Sequence, residues 1–275
     1  MFKGSLPMPK IFKFLQNKAL QIEKRFRFVI SALLLSLLML ISTFFLFEKS
    51  GIFIIIFFLS CFILTYFSLL EGIENIEWFT HFFMPVVLTI SFYLFYFLFP
   101  VRWLTRLPFI FLYAVSIYAV LLCSNIFNVG VEKSLQLYRA AFSINFFYQT
   151  VVSFLIYNTL FSFKLNFIFN FIVIMIITFL LSLQLIWTVK LDLPLNKNTL
   201  LFSLLTALIL AQLALLGSFV PLKSTILSLF LTSSYYCLSG LIYNFLDERL
   251  FKETIREYVF VWITVLLITI LSISW

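Results

Sequence analysis

Nine long apolar stretches, separated by short polar connections, dominate the pattern of this chain. They lie at 28–47, 52–70, 79–99, 107–127, 141–162, 167–189, 199–220, 224–246 and 258–274. About 20 apolar residues in a helix match the roughly 30 Å thickness of the hydrocarbon core of a bilayer. The pattern therefore predicts an all-α fold, a polytopic bundle of about nine transmembrane helices.

The connections are too short to hold a soluble domain, so residues 28–275 are predicted to form one membrane bundle. Composition agrees with this prediction. Hydrophobic residues make up 63% of the 275-residue chain and charged residues 11%, whereas soluble domains contain about 45–50% apolar residues. Any function must therefore act within the bilayer or at its surfaces.

Residues 1–27 form a basic arm ahead of the first apolar stretch. The arm carries seven Lys and Arg residues against one acid, Glu23, and an apolar stripe at helical spacing: Ile11, Leu15, Ala19, Ile22 and Phe26. Such a helix lies in a membrane interface and attracts anionic lipid headgroups. Because the arm adjoins a membrane span, lipid is the expected partner, and nucleic acid is not.

The distribution of basic residues predicts the orientation in the membrane. With nine alternating spans, 14 of the 19 Lys and Arg residues fall on the side of the N-terminus. Since basic residues accumulate in cytoplasmic segments, the N-terminus is predicted to be cytoplasmic and the C-terminus outside.

The segment LLEGIENIEWFTHFFMP, residues 69–85, holds Glu71, Glu74, Glu77 and His81, the one histidine of the chain. Glu74, Glu77 and His81 lie within about 60° of one another on a helix. Carboxylates with an imidazole suit iron, manganese or zinc. The di-iron motif, however, is Glu-x-x-His on paired helices, and this segment has Glu-x-x-x-His in one copy.

A salt-bridge clamp is the other interpretation of these carboxylates. Lys24, Arg25 and Arg27 are predicted on the same side of the membrane, and structural ion pairs commonly use such groups. We expect the clamp and no cofactor, with a divalent metal on Glu74, Glu77 and His81 as the alternative.

A second polar segment, SNIFNVGVEKSLQLYRAA, covers residues 124–141. With neighbouring spans it defines a candidate polar site: Asn125, Asn128, Glu132, Lys133, Arg139, Asn145, Gln149 and Tyr236. Polar groups at membrane depth are costly unless paired and are therefore functional candidates. The alternative is an interfacial loop helix with a snorkelling Arg139.

The fifth and eighth spans each carry a polar stripe. Asn145, Gln149, Ser153 and Tyr157 recur every four residues, and the eighth span offers Thr232, Tyr236, Ser239, Gly240 and Tyr243. Facing stripes could line a cavity for a headgroup or solute. Hydrogen bonds between helices are the commoner use of such stripes, at about 0.6 kcal/mol each.

The charged residues outside these segments suggest structural roles rather than a binding or catalytic site. Arg102 and Arg106, beside Trp103, predict interfacial anchoring. The run 247–257 contains two i,i+4 pairs, Glu248 with Lys252 and Arg249 with Glu253, and predicts a solvated helix face.

The sequence lacks the motifs of several enzyme classes. A single histidine excludes H-E-x-x-H metalloproteases, and the chain has neither a G-x-S-x-G elbow nor a P-loop. Aspartate occurs only at 192 and 247, so magnesium held by clustered aspartates is not expected. The absence of a complete catalytic set favours a non-enzymatic protein.

Two short elements, EGIE (71–74) and NIFNV…LYRAA (125–141), resemble segments of uncharacterised multi-pass bacterial membrane proteins. The resemblance covers residues 71–141. It implies a bacterial inner-membrane location and transfers no activity.

Three hypotheses of function follow from these patterns. The first is a non-enzymatic membrane component that binds lipid, a protein partner or a second copy through its cytoplasmic face. The second is a carrier or flippase for a solute or lipid that uses the polar faces of the fifth and eighth spans. The third is a lipid-modifying, metal-dependent enzyme centred on Glu74, Glu77 and His81.

Metal analysis separates the two interpretations of the 69–85 segment. We expect no stoichiometric divalent metal in the purified protein, and no change in metal content on His81→Ala, because an ion-pair clamp needs no cofactor. Elemental analysis of both proteins checks this. A stoichiometric metal that His81→Ala removes would contradict the clamp and favour the enzyme.

Overall fold

The computed structural model describes residues 22–45, 47–70, 78–99, 103–129, 135–190 and 197–273. Across these ranges it contains nine long α-helices, one short 3-10 turn (Phe47–Lys49) and no strand. The helices are α1 (Lys24–Ser42), α2 (Ser50–Ser68), α3 (Trp78–Tyr96), α4 (Trp103–Val129), α5 (Leu135–Ser162), α6 (Phe167–Lys190), α7 (Lys197–Gly217), α8 (Ser224–Leu246) and α9 (Lys252–Leu271).

Eight of these helices, all but α3, are long and apolar enough to cross a membrane by length and composition. In α3 the apolar stretch with described side chains is shorter, His81–Tyr96. The all-α membrane fold is therefore confirmed. Residues 1–21 of the basic arm lie outside the described residues, and its amphipathic helix stays a prediction.

The helices form two groups that are joined mainly by α5, with a smaller contact between α3 and α6. α1 to α4 pack against one another, and α8 packs against α6, α7 and α9. α5 contacts α3 and α4 in the first group and α6 and α8 in the second. α9 lies at the periphery, because its main contact is with α8 and no residue of its apolar window is buried.

Hydrogen bonds between side chains connect neighbouring helices. They join Ser68 to Ser31 (2.9 Å), Thr89 to Tyr113 (3.0 Å), Tyr157 to Thr178 (2.7 Å) and Trp262 to Ser234 (2.9 Å). Small residues also allow close approach, since Ala207, Ala211 and Ala214 of α7 are fully buried. Lipid tails are as apolar as leucine, so helices in a bilayer associate through such packing and hydrogen bonds.

The bundle has two ends, which we name after one arginine at each. At the Arg106 end, the Nε of Arg106 donates to the Tyr96 hydroxyl over 2.9 Å. The guanidinium also lies over the rings of Phe44 (4.8 Å) and Trp103 (5.5 Å). Arg106 is thus held among aromatic rings, as interfacial anchoring requires. Arg102 lies outside the described residues.

The predicted solvated helix face over 247–257 forms only in its second half, because α8 ends at Leu246, the chain turns, and the largely exposed residues from Lys252 onward begin α9. Glu248 has a positive φ of 57°. Its N–H donates to the Phe245 carbonyl, and the Arg249 N–H donates to the Asn244 carbonyl over 2.9 Å. These two bonds form a Schellman motif, which ends a helix. Arg249 pairs with Asp247 at 3.2 Å, and the predicted i,i+4 pair with Glu253 does not form.

Gly240 allows α8 and α9 to approach closely. Substitution of this glycine by alanine can be compared with the same substitution at Gly51, which is not crowded. A Cβ added to Gly240 would lie 2.5 Å from the Tyr258 ring, whereas one added to Gly51 meets nothing within 4 Å. Overpacking typically costs about 1–3 kcal/mol. We expect Gly240→Ala to lower the free energy of unfolding in mixed micelles by about 1 kcal/mol or more, and Gly51→Ala not to lower it. Equal effects would contradict a close α8–α9 contact at Tyr258.

Candidate functional site

A cavity of about 540 Å³ lies at the Arg139 end of the bundle, between α5, α8 and α9. α5 contributes Arg139, Phe142, Ser143, Phe146, Phe147 and Thr150. α8 and the turn after it contribute Tyr236, Tyr243, Asn244, Asp247 and Arg249, and α9 contributes Tyr258. Ligand pockets in proteins commonly have volumes of about 300–1,000 Å³. The cavity is therefore large enough for a ligand group.

Stacked aromatic rings form the inner wall of the cavity. Phe142 of α5 stacks on Tyr243 of α8, with ring centroids 3.6 Å apart. One turn deeper, Phe146 stacks on Tyr236 at 5.1 Å, and Tyr236 contacts Tyr258 of α9 at 5.2 Å. These contacts join three helices through rigid side chains, so the wall has a defined shape and a largely apolar surface.

Charged and polar groups surround the opening of the cavity. Arg139 and Arg249 are both exposed, and Arg249 is paired with Asp247. The side chain of Asn244, which also lines the cavity, donates to the Gly240 carbonyl over 2.8 Å. This bond holds the Asn244 amide near the opening. Two guanidinium groups against one carboxylate leave an excess of positive charge among the described lining residues. The opening thus suits an anionic group, for which planar Arg donors are well adapted.

A buried hydrogen-bonded network lies on a different face of α5. The side-chain amides of Asn145 and Gln149 both donate to Oε1 of Gln184 on α6, and the Tyr235 hydroxyl of α8 donates to Oε1 of Gln149 over 2.9 Å. All four side chains are at most 2% exposed. These groups satisfy one another between α5, α6 and α8, which is the hydrogen-bonding role that the polar stripe of the fifth span suggested.

The residues of the predicted polar site fall into three places. Arg139 and Tyr236 line the cavity, whereas Asn145 and Gln149 belong to the buried network. Asn125 and Asn128 lie near the end of α4. Asn125 is half-buried, and its Oδ1 has no hydrogen-bond partner among the described residues. Glu132 and Lys133 lie outside the described residues.

Sequence reasoning missed two members of the buried network, Gln184 and Tyr235. The apolar sixth span contains only two side-chain amides, Asn170 and Gln184, and a polar group at membrane depth could have pointed to Gln184. Tyr235 and Tyr236 are adjacent in sequence, about 100° apart on the helix, and the four-residue spacing selected Tyr236. The structure gives them separate roles, because Tyr235 bonds to Gln149 and Tyr236 lines the cavity.

His81 lies near the start of α3 and is 6% exposed. Its ring packs edge-on against Trp187 of α6, with centroids 5.3 Å apart, and it has a hydrogen bond with the backbone of Ser124. Glu74 and Glu77 lie outside the described residues. Within the described part of the chain, no group of three or more His, Cys, Asp or Glu side chains could hold a metal ion. A metal on Glu74, Glu77 and His81 stays a prediction.

The predicted clamp involves the start of α1. Arg27 is fully buried there, although charged side chains are seldom fully buried without a partner. Its predicted partners Glu71, Glu74 and Glu77 lie outside the described residues, so the clamp also stays a prediction.

The helices and the cavity define a polytopic α-helical membrane protein with a cavity at one end of its bundle. Residues 52–272 match the model of DUF5656, a family of proteins of unknown function, and the chain belongs to this family. The matched range contains α5, α8 and α9, and so every cavity-lining residue that the structure describes. No curated protein and no solved structure matches the chain.

The Gln149–Tyr235 bond can be tested by a double-mutant cycle. Tyr235→Phe leaves Oε1 of the buried Gln149 without this donor, and we expect a loss of about 1 kcal/mol in the free energy of unfolding. In a Gln149→Leu background the same substitution should cost clearly less, because the acceptor is already gone. Unfolding of the four proteins in mixed micelles checks this. Equal costs in both backgrounds would contradict the bond.

Proposed function

We propose that this protein is a non-enzymatic membrane component that binds a membrane lipid in the cavity at its Arg139 end. The proposal includes an inner-membrane location in a bacterium, with the N-terminus and the Arg139 end facing the cytoplasm. The main support for lipid binding is the cavity of about 540 Å³, which combines a basic opening with an aromatic wall.

The position of the cavity favours a lipid over a soluble ligand. Arg139 is near the start of α5, and Arg249 follows the end of α8, so both guanidinium groups are at the end of membrane-spanning helices. Lipid headgroups lie at this depth, whereas the aromatic side chains extend toward the hydrocarbon core. An amphiphile can therefore contact both parts of the cavity in its ordinary orientation.

The groups that line the cavity support binding more than acid–base chemistry. Asp247 is the one carboxylate among the described lining residues, and it is paired with Arg249. General acid–base catalysis needs a group that is free to reach the substrate and exchange a proton with it. A carboxylate held by a guanidinium at 3.2 Å is a poor candidate for that task.

The other two hypotheses have less support. A carrier would use the polar faces of α5 and α8, but Asn145 and Gln149 are buried and bonded to α6 and α8. A metal-dependent enzyme would need Glu74 and Glu77 together with His81. Binding of a protein partner, or of a second copy of this chain, at the same end is compatible with lipid binding. The basic arm, residues 1–27, would bind the anionic headgroups of the same leaflet.

Retention of lipid through purification tests the proposal. Ser143 lines the cavity and is exposed, so a tryptophan there would fill the space. Val115 of α4 is 47% exposed and does not line the cavity, so Val115→Trp is the matched control. After extensive detergent washing, we expect about one lipid per chain in the original protein and in Val115→Trp, and a clear loss in Ser143→Trp.

Quantitative lipid mass spectrometry of the three purified proteins gives the result. The same lipid content in both tryptophan variants would contradict the proposal, as would the absence of retained lipid from all three. Unfolding temperatures of the variants show whether a loss of lipid reflects a damaged fold.

A further inference from the structure

We infer that the cavity holds one phosphodiester lipid from the leaflet at the Arg139 end. Its phosphate contacts Arg139 and Arg249, and one of its acyl chains lies between α5 and α9. This inference rests on the proposed function and specifies the ligand class and its orientation.

The cavity is a groove rather than a closed chamber. It is lined by α5 on one side and α9 on the other, with α8 between them. Both α5 and α9 pack extensively on α8 but not on one another. Phe147, on the α5 side of the groove, is 60% exposed, and Ser143 is also exposed. The gap between α5 and α9 therefore faces the bilayer, and a lipid chain can enter it sideways without crossing the protein.

The length of the groove matches one leaflet. Arg139 and Thr150 mark its two ends on α5. At a rise of 1.5 Å per residue, the eleven steps between them span about 16 Å along the helix. One leaflet contributes about half of the roughly 30 Å hydrocarbon core. The groove thus extends from the headgroup level to about the middle of the membrane.

Charge is confined to the outer end of the groove. Among the described lining residues, Arg139, Asp247 and Arg249 all lie at that end, and the deeper residues Phe146, Thr150 and Tyr236 are uncharged. This is the distribution that a lipid with an anionic headgroup and an apolar chain needs. A soluble anion would use the outer end and leave the aromatic part of the groove without a role.

The net charge at the opening favours a phosphodiester. Arg249 is paired with Asp247 at 3.2 Å, and Arg139 has no ion pair with another residue that the structure describes. Together these three groups carry one excess positive charge. A phosphodiester carries a single negative charge and therefore balances it, whereas a phosphomonoester carries about −1.5 to −2 at neutral pH. Arg139 donates to the phosphate oxygens, and Arg249 completes the site.

A lipid titration of the delipidated full chain in detergent tests this inference. The probes are phosphatidylglycerol, phosphatidic acid and diacylglycerol with identical acyl chains, together with glycerol phosphate, which has no chain. Native mass spectrometry reports the affinities. We expect phosphatidylglycerol to bind about tenfold or more tightly than diacylglycerol, because hydrogen bonds to charged groups contribute on this scale. It should also bind more tightly than phosphatidic acid, and glycerol phosphate should bind weakly.

Arginine variants identify the phosphate contact. Arg139→Gln should remove most of the preference for phosphatidylglycerol over diacylglycerol, and Arg139→Lys should retain part of it. Arg106→Gln is the matched control, because Arg106 is engaged with aromatic side chains at the other end of the bundle. The Arg106→Gln variant should prefer phosphatidylglycerol over diacylglycerol as strongly as the original protein does.

Three results would overturn the inference. They are equal affinity for phosphatidylglycerol and diacylglycerol, equal losses from the Arg139 and Arg106 variants, and binding of glycerol phosphate as tight as that of the lipid. If both lipids bind equally and Ser143→Trp displaces both, the proposed lipid-binding function still holds and the phosphate assignment fails. If no lipid binds, both fail.

Discussion

Helices in a bilayer gain little from apolar contact with one another, since lipid offers the same contact. The structure therefore depends on the polar and close-packed contacts of α5, which joins the two groups of helices. Gln149 is central, because its amide bonds to Gln184 of α6 and accepts the hydroxyl of Tyr235 of α8. Through these bonds α5 fixes the position and rotation of α8. The aromatic inner wall of the cavity includes Tyr236 and Tyr243 of α8 and so depends on the same bonds.

The cavity follows from two further local features of α8. Gly240 has no side chain and lets the Tyr258 ring of α9 lie directly against the helix. The Schellman motif at Glu248 then reverses the chain and brings Arg249 to the opening. L-residues favour a negative φ by roughly 1–2 kcal/mol, so Glu248 adopts its φ of 57° at a cost. That cost is offset by the hydrogen bonds that end α8.

The fold could be predicted from the sequence because a bilayer imposes few alternatives on long apolar runs. The candidate site could be predicted only in part. Periodicity identified a polar stripe on α5 and on α8, with Tyr236 as a candidate, and the polar segment 124–141 gave Arg139. Neither pattern could show which helix each stripe packs against. The stripe of α5 thus contains buried Asn145 and Gln149, while the cavity lies on another face. The turn after α8 was missed because a glutamate occupies the position where glycine usually marks a Schellman motif.

The network also bears on whether a ligand stays in the cavity or passes through the protein. The deep end of the groove is at Thr150, next in sequence to Gln149, whose amide is fully buried. A solute that moved farther between α5 and α8 would have to break the bonds among Gln149, Gln184 and Tyr235. Buried polar groups that lose their partners cost about 1–3 kcal/mol each, and no charged group near the middle of the described spans offers a replacement. The interior thus favours keeping the proposed lipid in one leaflet, which supports the proposed binding function over the carrier hypothesis.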